Sequence, residues 1–128
     1  MGQFILINYS RKNQVNNNLI NVDYFKQIYY RAILPLDKIN DFLSFFEKED
    51  VDHATRVLIS ILNVTTTNSL LDKFKSLEEK KKFLRLCQDD FRDAKILDYL
   101  IDKFPGSEQN ILETIERTLL SAKMTVER

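Results

Sequence analysis

The chain has 128 residues, 44% apolar and 30% charged, with nineteen Lys and Arg set against nineteen Asp and Glu. That length fits one domain over 1–128 with a core of its own, and the composition excludes bulk disorder. Two Gly and two Pro are too few for the tight turns of a sandwich or barrel, and zero net charge gives no general attraction to nucleic acid or acidic lipid.

Residues 1–21 read as an N-terminal extension. Within residues 3–9 the apolar run Phe4-Ile5-Leu6-Ile7 fits a short buried strand or the start of a helix equally well. The polar stretch through Asn16-Asn17-Asn18 reads as a loop. The apolar run is shorter than the roughly 7–15 residues of a secretory core. Nothing in the chain approaches the roughly 20 apolar residues that span a bilayer. With Cys87 as the lone cysteine, no intrachain disulfide is possible, so the expectation is a cytoplasmic protein without membrane contact.

A helical core is expected over 22–123. Asn21 or Asp23 caps a first helix with Tyr24, Phe25, Ile28, Tyr29, Ala32 and Ile33 inward, stopped by Pro35. Asp37 caps a second, carrying Ile39, Phe42, Leu43 and Phe46. An acidic link, Glu47 to Asp52, precedes a third helix capped by Asp50, whose stripe is Ala54, Val57, Leu58, Ile61 and Leu62. The β-branched run Val64-Thr65-Thr66-Thr67 is expected to end it, leaving a short helical piece with Leu70, Leu71 and Phe74.

Ser76 and Glu79 have capping-box spacing and open a fifth helix with Phe83, Leu84 and Cys87. Asp89 or Asp90 caps a sixth, Pro105-Gly106 ends it, and Ser107 caps a seventh carrying Ile111, Leu112, Ile115, Leu119 and Ala122. Residues 124–128 read as a frayed tail. The fold expected is all-α, a compact bundle of about seven short helices; a short α-solenoid-like stack of helix pairs is the alternative.

Few residues offer chemistry. Asp89-Asp90-Phe91-Arg92-Asp93 has the Asp-Asp-x-x-Asp spacing that, on one helix, would set Asp89 and Asp93 on a common face for a hard cation. Dipole compensation and capping at a helix start explain the same residues more simply. His53 is the only histidine, so no His-rich metal site and no triad independent of it can be assembled. Cys87 sits at an apolar helical position, where a buried inert thiol outweighs a Cys-His pair with His53. Lys80-Lys81-Lys82 with Arg85 is flanked by Glu78, Glu79, Asp89 and Asp90, the pattern of a solvated ion-paired face. Neither glycine lies in a phosphate-binding loop pattern. No catalytic, cofactor-binding or metal-ligating set is therefore expected.

The aromatic pairs Tyr29-Tyr30 and Phe45-Phe46 raise a different question. Neighbours on a helix point about 100° apart, so a narrow buried stripe cannot hide both rings of a pair. A broad core face absorbs them; otherwise one ring of each pair is an exposed anchor. The expected function is non-catalytic binding of a protein partner, as in a toxin-immunity protein or a viral or phage inhibitor. The expected contact surface is Phe45, Phe46, Glu47, Glu49, Asp50 and Asp52, extended by Tyr29 and Tyr30, and its carboxylates suit a basic partner. An oligomeric structural subunit or adaptor is the second reading, and a nucleic-acid-binding helical protein a further one.

Overall fold

The computed structural model describes residues 19–126, and among these the chain is all-α with no strand. The apolar run at residues 3–9 and the Asn-rich stretch before residue 19 lie outside the described residues. Among the described residues six α-helices occur: α1 Val22–Phe25, α2 Leu36–Leu43, α3 Val51–Leu71, α4 Leu77–Asp89, α5 Lys95–Lys103 and α6 Ser107–Val126. Short 3-10 turns sit at Arg31–Ile33 and Lys48–Asp50.

The expected first helix is a single turn. The Asn21 side chain caps it, accepting from the Asp23 N–H at 3.1 Å. The chain then leaves helical geometry before Tyr29 and Tyr30, which are 1% and 0% exposed. The break allows adjacent residues to turn both rings inward, which a continuous helix against one core face resists. The two rings meet edge to face at 5.0 Å, and Tyr29 meets Phe91 at 5.1 Å in the same way. Asn63 Oδ1 accepts from the Tyr30 hydroxyl at 2.5 Å. Burial pushes both phenols above their usual pKa, so they stay neutral.

The Val64–Thr67 run does not end a helix: α3 passes through it to Leu71 and absorbs the separate short helix expected there. Each β-branched residue costs only a few tenths of a kcal/mol, roughly, in helix propensity. Burial outweighs that cost. The row Ala54, Leu58, Leu62, Thr66 and Leu70, one residue in every four, is buried along the whole of α3.

α6 answers it with Ser107, Ile111, Ile115 and Leu119, also spaced by four. The α3–α6 contact is the largest between elements. Thr114 Oγ1 lies 3.3 Å from Ser69 Oγ, and Thr118 Oγ1 lies 3.3 Å from Thr65 Oγ1. Ascending one helix while descending the other makes the pair antiparallel. These small side chains let the backbones approach, and each threonine's one hydroxyl proton has a carbonyl one turn back within reach, Asn110 O for Thr114 and Thr114 O for Thr118, both at 2.8 Å. Because α6 returns across two intervening helices to pack on α3, the architecture is the compact bundle and not a stack of nearest neighbours.

The α3–α4 link is punctuated as the sequence predicts. Ser76 Oγ accepts from the Glu79 N–H at 3.1 Å, and the Glu79 carboxylate folds back to within 3.3 Å of the same hydroxyl. Lys103 from α5 reaches Glu79 at 2.9 Å; its hydrogen bond is the main reason the Glu79 carboxyl titrates below its usual range.

Three other caps differ from expectation: α2 starts at Leu36 after Pro35, so Asp37 lies inside its first turn and does not cap it. α5 begins at Lys95, where the Asp93 carboxylate accepts from the Lys95 N–H at 2.9 Å, while Asp90 accepts from the Arg92 N–H at 3.1 Å. Those two local bonds hold the chain in turns and delay the helix. Ser107 is buried inside the first turn of α6, and its hydroxyl donates backward to Leu100 O at 2.9 Å rather than capping forward. Gly106 has φ +94°, the left-handed conformation that lets the chain leave α5 and enter α6 directly. α6 continues to Val126, past the point where fraying is expected.

No described helix is long and apolar enough to cross a membrane.

Candidate functional site

Where α2, α3 and α6 converge, the inner rows leave an open apolar cleft of about 520 Å³. Phe42 and Phe46 form one side, Ala54, Val57, Leu58 and Ile61 of α3 the second, and Ala122, Thr125 and Val126 of α6 the third. The cleft continues the α3–α6 seam. At one end of the seam hydroxyls meet at 3.3 Å; one and two turns further on, Ile61 and Val57 of α3 face a widening gap beside Ala122 and Val126. Its size falls within the roughly 300–1,000 Å³ of ligand clefts.

Phe46 enters the cleft because α2 ends at Leu43 and the following turn swings its ring onto Phe42, edge to face at 5.3 Å. Phe45 turns outward, 42% exposed, with the Lys123 ammonium 5.2 Å above its ring. This pair is therefore divided between cleft and surface. Tyr29 and Tyr30 are not: both are core, packed under Phe91, and no partner reaches them in this fold. The expected extension of the contact surface by Tyr29 and Tyr30 is corrected on that ground.

Asp50 lines the end of the cleft near the start of α3, and Glu47, Glu49 and Asp52, its neighbours in the chain, make with it an acidic lip. Glu47, Glu49, Asp50 and Asp52 are all exposed. Asp50 occupies the N-cap position of α3 but makes no side-chain capping bond, and it lines the cleft instead. Asp52 is already engaged: it accepts from the Tyr24 hydroxyl and pairs with Arg56 at 3.3 Å. No ion pair is formed by Glu47, Glu49 or Asp50 among the described residues, and Lys48 is the only cation within that short turn.

His53, Val57, Ile61, Ala122, Thr125 and Val126 complete the cleft; none is among the contact residues expected from sequence, where His53 is weighed only for metal or nucleophile chemistry. The inward stripe expected of α3 includes Val57 and Ile61, yet they are 43% and 40% exposed.

The other candidate groups stay apart. Asp89 closes α4 while Asp93 sits in the turn before α5, so they share no helical face. Among the described residues no group of three or more His, Cys, Asp or Glu is gathered closely enough to hold a metal ion. Cys87 is half-buried on α4, and desolvation pushes its thiol up to about 11, which leaves very little thiolate near neutral pH. Of the basic run, Lys82 lies 5.5 Å over the Tyr99 ring, and Lys81 and Arg85 face solvent. Comparison with protein-family models, curated proteins and solved structures finds no match to this chain.

Proposed function

We propose that this chain is a non-catalytic protein-binding domain that neutralises or modulates its partner by covering the partner's working surface, as an immunity or inhibitor protein does. The observation that carries the reading is the unpaired acidic lip set beside an open apolar cleft. Glu47, Glu49 and Asp50 are solvated charges with no ion pair among the described residues, next to Phe45, Phe46, Val57 and Ile61. Apolar anchors in a desolvated centre supply affinity, and charges at the rim steer the encounter. A negative lip favours a basic partner surface.

Reversing Glu47, Glu49, Asp50 and Asp52 to Lys tests it. These side chains are exposed, so the far-ultraviolet circular dichroism of the variant is expected to match the parent. Capture of the native partner is expected to weaken, with the larger change in association rate and in its salt dependence. Undiminished capture by the folded variant contradicts the assignment of this surface.

A further inference from the structure

We propose that the cleft is a docking groove for one amphipathic helix of another protein, about three turns long, with Lys or Arg at the end lying over Glu47, Glu49 and Asp50. This deepens the protein-binding reading and rests on it.

The shape comes first. All three sides of the cleft belong to helices or to the turn that closes one: Phe42 and Phe46, α3, and the last turn of α6. On α3 its lining falls on two adjacent rows spaced by four, the buried Ala54 and Leu58 and the more exposed His53, Val57 and Ile61, and the second row is a ridge line along the helix. His53 to Ile61 spans roughly 12 Å at 1.5 Å per residue, the length of a little over two turns. A helix presenting apolar residues at i, i+4 and i+7 lays a matching ridge into that line.

The charge decides which helix. The end of the groove near residue 50 is lined by Asp50, which makes no ion pair, and Glu47 and Glu49, exposed and likewise unpaired among the described residues, adjoin it in the chain; the cations nearby are Lys48 between them and Lys123, which lies over Phe45 and pairs with Asp41. Asp52 is held by Tyr24 and Arg56 and contributes less. At the seam end the groove passes into Thr65, Thr118 and Ser121 beside the cationic Arg117, so no second acidic group stands there. An incoming helix therefore meets an apolar bed with an acidic stop at one end, and a basic cluster at its corresponding end is complementary.

The experiment uses the full chain and a displayed library of 18-residue peptides with a fixed apolar i, i+3, i+4, i+7 stripe and every other position randomised. Selection is expected to enrich peptides with Lys or Arg at one end. Their affinity is expected to fall about tenfold or more on Ile61→Asp and several-fold on the combined Glu47→Lys, Glu49→Lys, Asp50→Lys change. No enrichment, or enrichment without terminal basic residues, overturns the proposal. Peptides that respond to the charge reversals but bind Ile61→Asp normally overturn the groove while leaving the acidic surface as a protein-binding site. A chain that sediments as a dimer and dissociates on Ile61→Asp makes a second copy the occupant. Peptides that bind only after Ile5 and Leu6 are replaced by Asp make the chain's own apolar run the occupant. Either of these last two results also overturns the proposal.

Discussion

Replacing Phe83 by Ala is expected to lower the unfolding free energy by about 3–5 kcal/mol, the range for emptying a buried aromatic site. Phe83 is fully buried on α4. Its ring stacks on Phe74 at 5.3 Å, and Phe74 meets Phe104 edge to face at 4.8 Å. The three rings join the end of α3, the middle of α4 and the end of α5. Phe83 is the one fully buried side chain of α4, and the α4–α5 ion pair Glu79–Lys103 is exposed enough to contribute little. Ala would leave a void that the remaining two rings, anchored on separate elements, cannot fill without shifting a helix. Against a total stability of roughly 5–15 kcal/mol for a domain, such a loss is a large fraction. Urea titration measures it: the midpoint should fall with little change in slope. Leu77, on the same helix but 67% exposed, is the control, with Leu77→Ala expected within about 0.5 kcal/mol of the parent. A Phe83→Ala variant as stable as the control would mean that α4 is not held as described.

The second large effect is on binding and should leave folding nearly untouched. Ile61→Asp places a carboxylate on the α3 wall where the cleft meets the α3–α6 seam. In most helices an Asp within an apolar stripe is ruinous, but Ile61 is 40% exposed and the new charge can reach water. Ile and Asp also differ little in helix propensity. Stability is expected to change by no more than about 1 kcal/mol. Partner affinity is expected to fall by more than about 2 kcal/mol, because an anchor site at the centre of an interface must be dry when occupied. Thermal melts and titration of the captured partner, run on the same samples, separate the two quantities. Leu77→Asp, on a helix away from the cleft, should alter neither. Equal affinity for parent and Ile61→Asp would remove the cleft from the contact surface.

The helical class and most of the core were legible from periodicity. Leu58, Leu62, Phe83, Leu100, Ile111 and Ile115 recur at helical spacing and are all buried. What failed were boundaries that depend on partners elsewhere in the chain. The threonine run in α3 reads as a stop only when α6 is ignored, since Thr65, Thr66 and Ser69 sit on the two rows that face other helices. Tyr29 and Tyr30 could not be placed from helix geometry because the chain abandons the helix there, and Phe91, the ring that accepts them, is sixty-odd residues away.

The cleft left a readable trace that a simple stripe conceals. At about 100° per residue, Val57, Ile61 and Val64 carry the apolar arc of α3 well beyond the Leu58–Leu62 line, with Val64 some 120° round from Leu58. One neighbouring helix cannot cover so broad an arc. The third wall, Ala122, Thr125 and Val126, had no such trace, because nothing local says where the end of α6 comes to rest. The acidic lip was visible as charge, but not the division of labour within it. Only the structure separates Asp52, tied to Tyr24 and Arg56, from Asp50, which makes no capping bond and faces the cleft.

Hydrogen exchange on the full chain, free and bound to the partner captured from its native host, tests most directly whether this cleft and its lip are where the protein works. The account predicts slowed exchange in the complex over residues 45–61 and over the last turn of α6, with the Lys80–Arg85 face of α4 unchanged. Slowed exchange confined to α4, or a complex that leaves residues 45–61 exchanging as in the free chain, would contradict it.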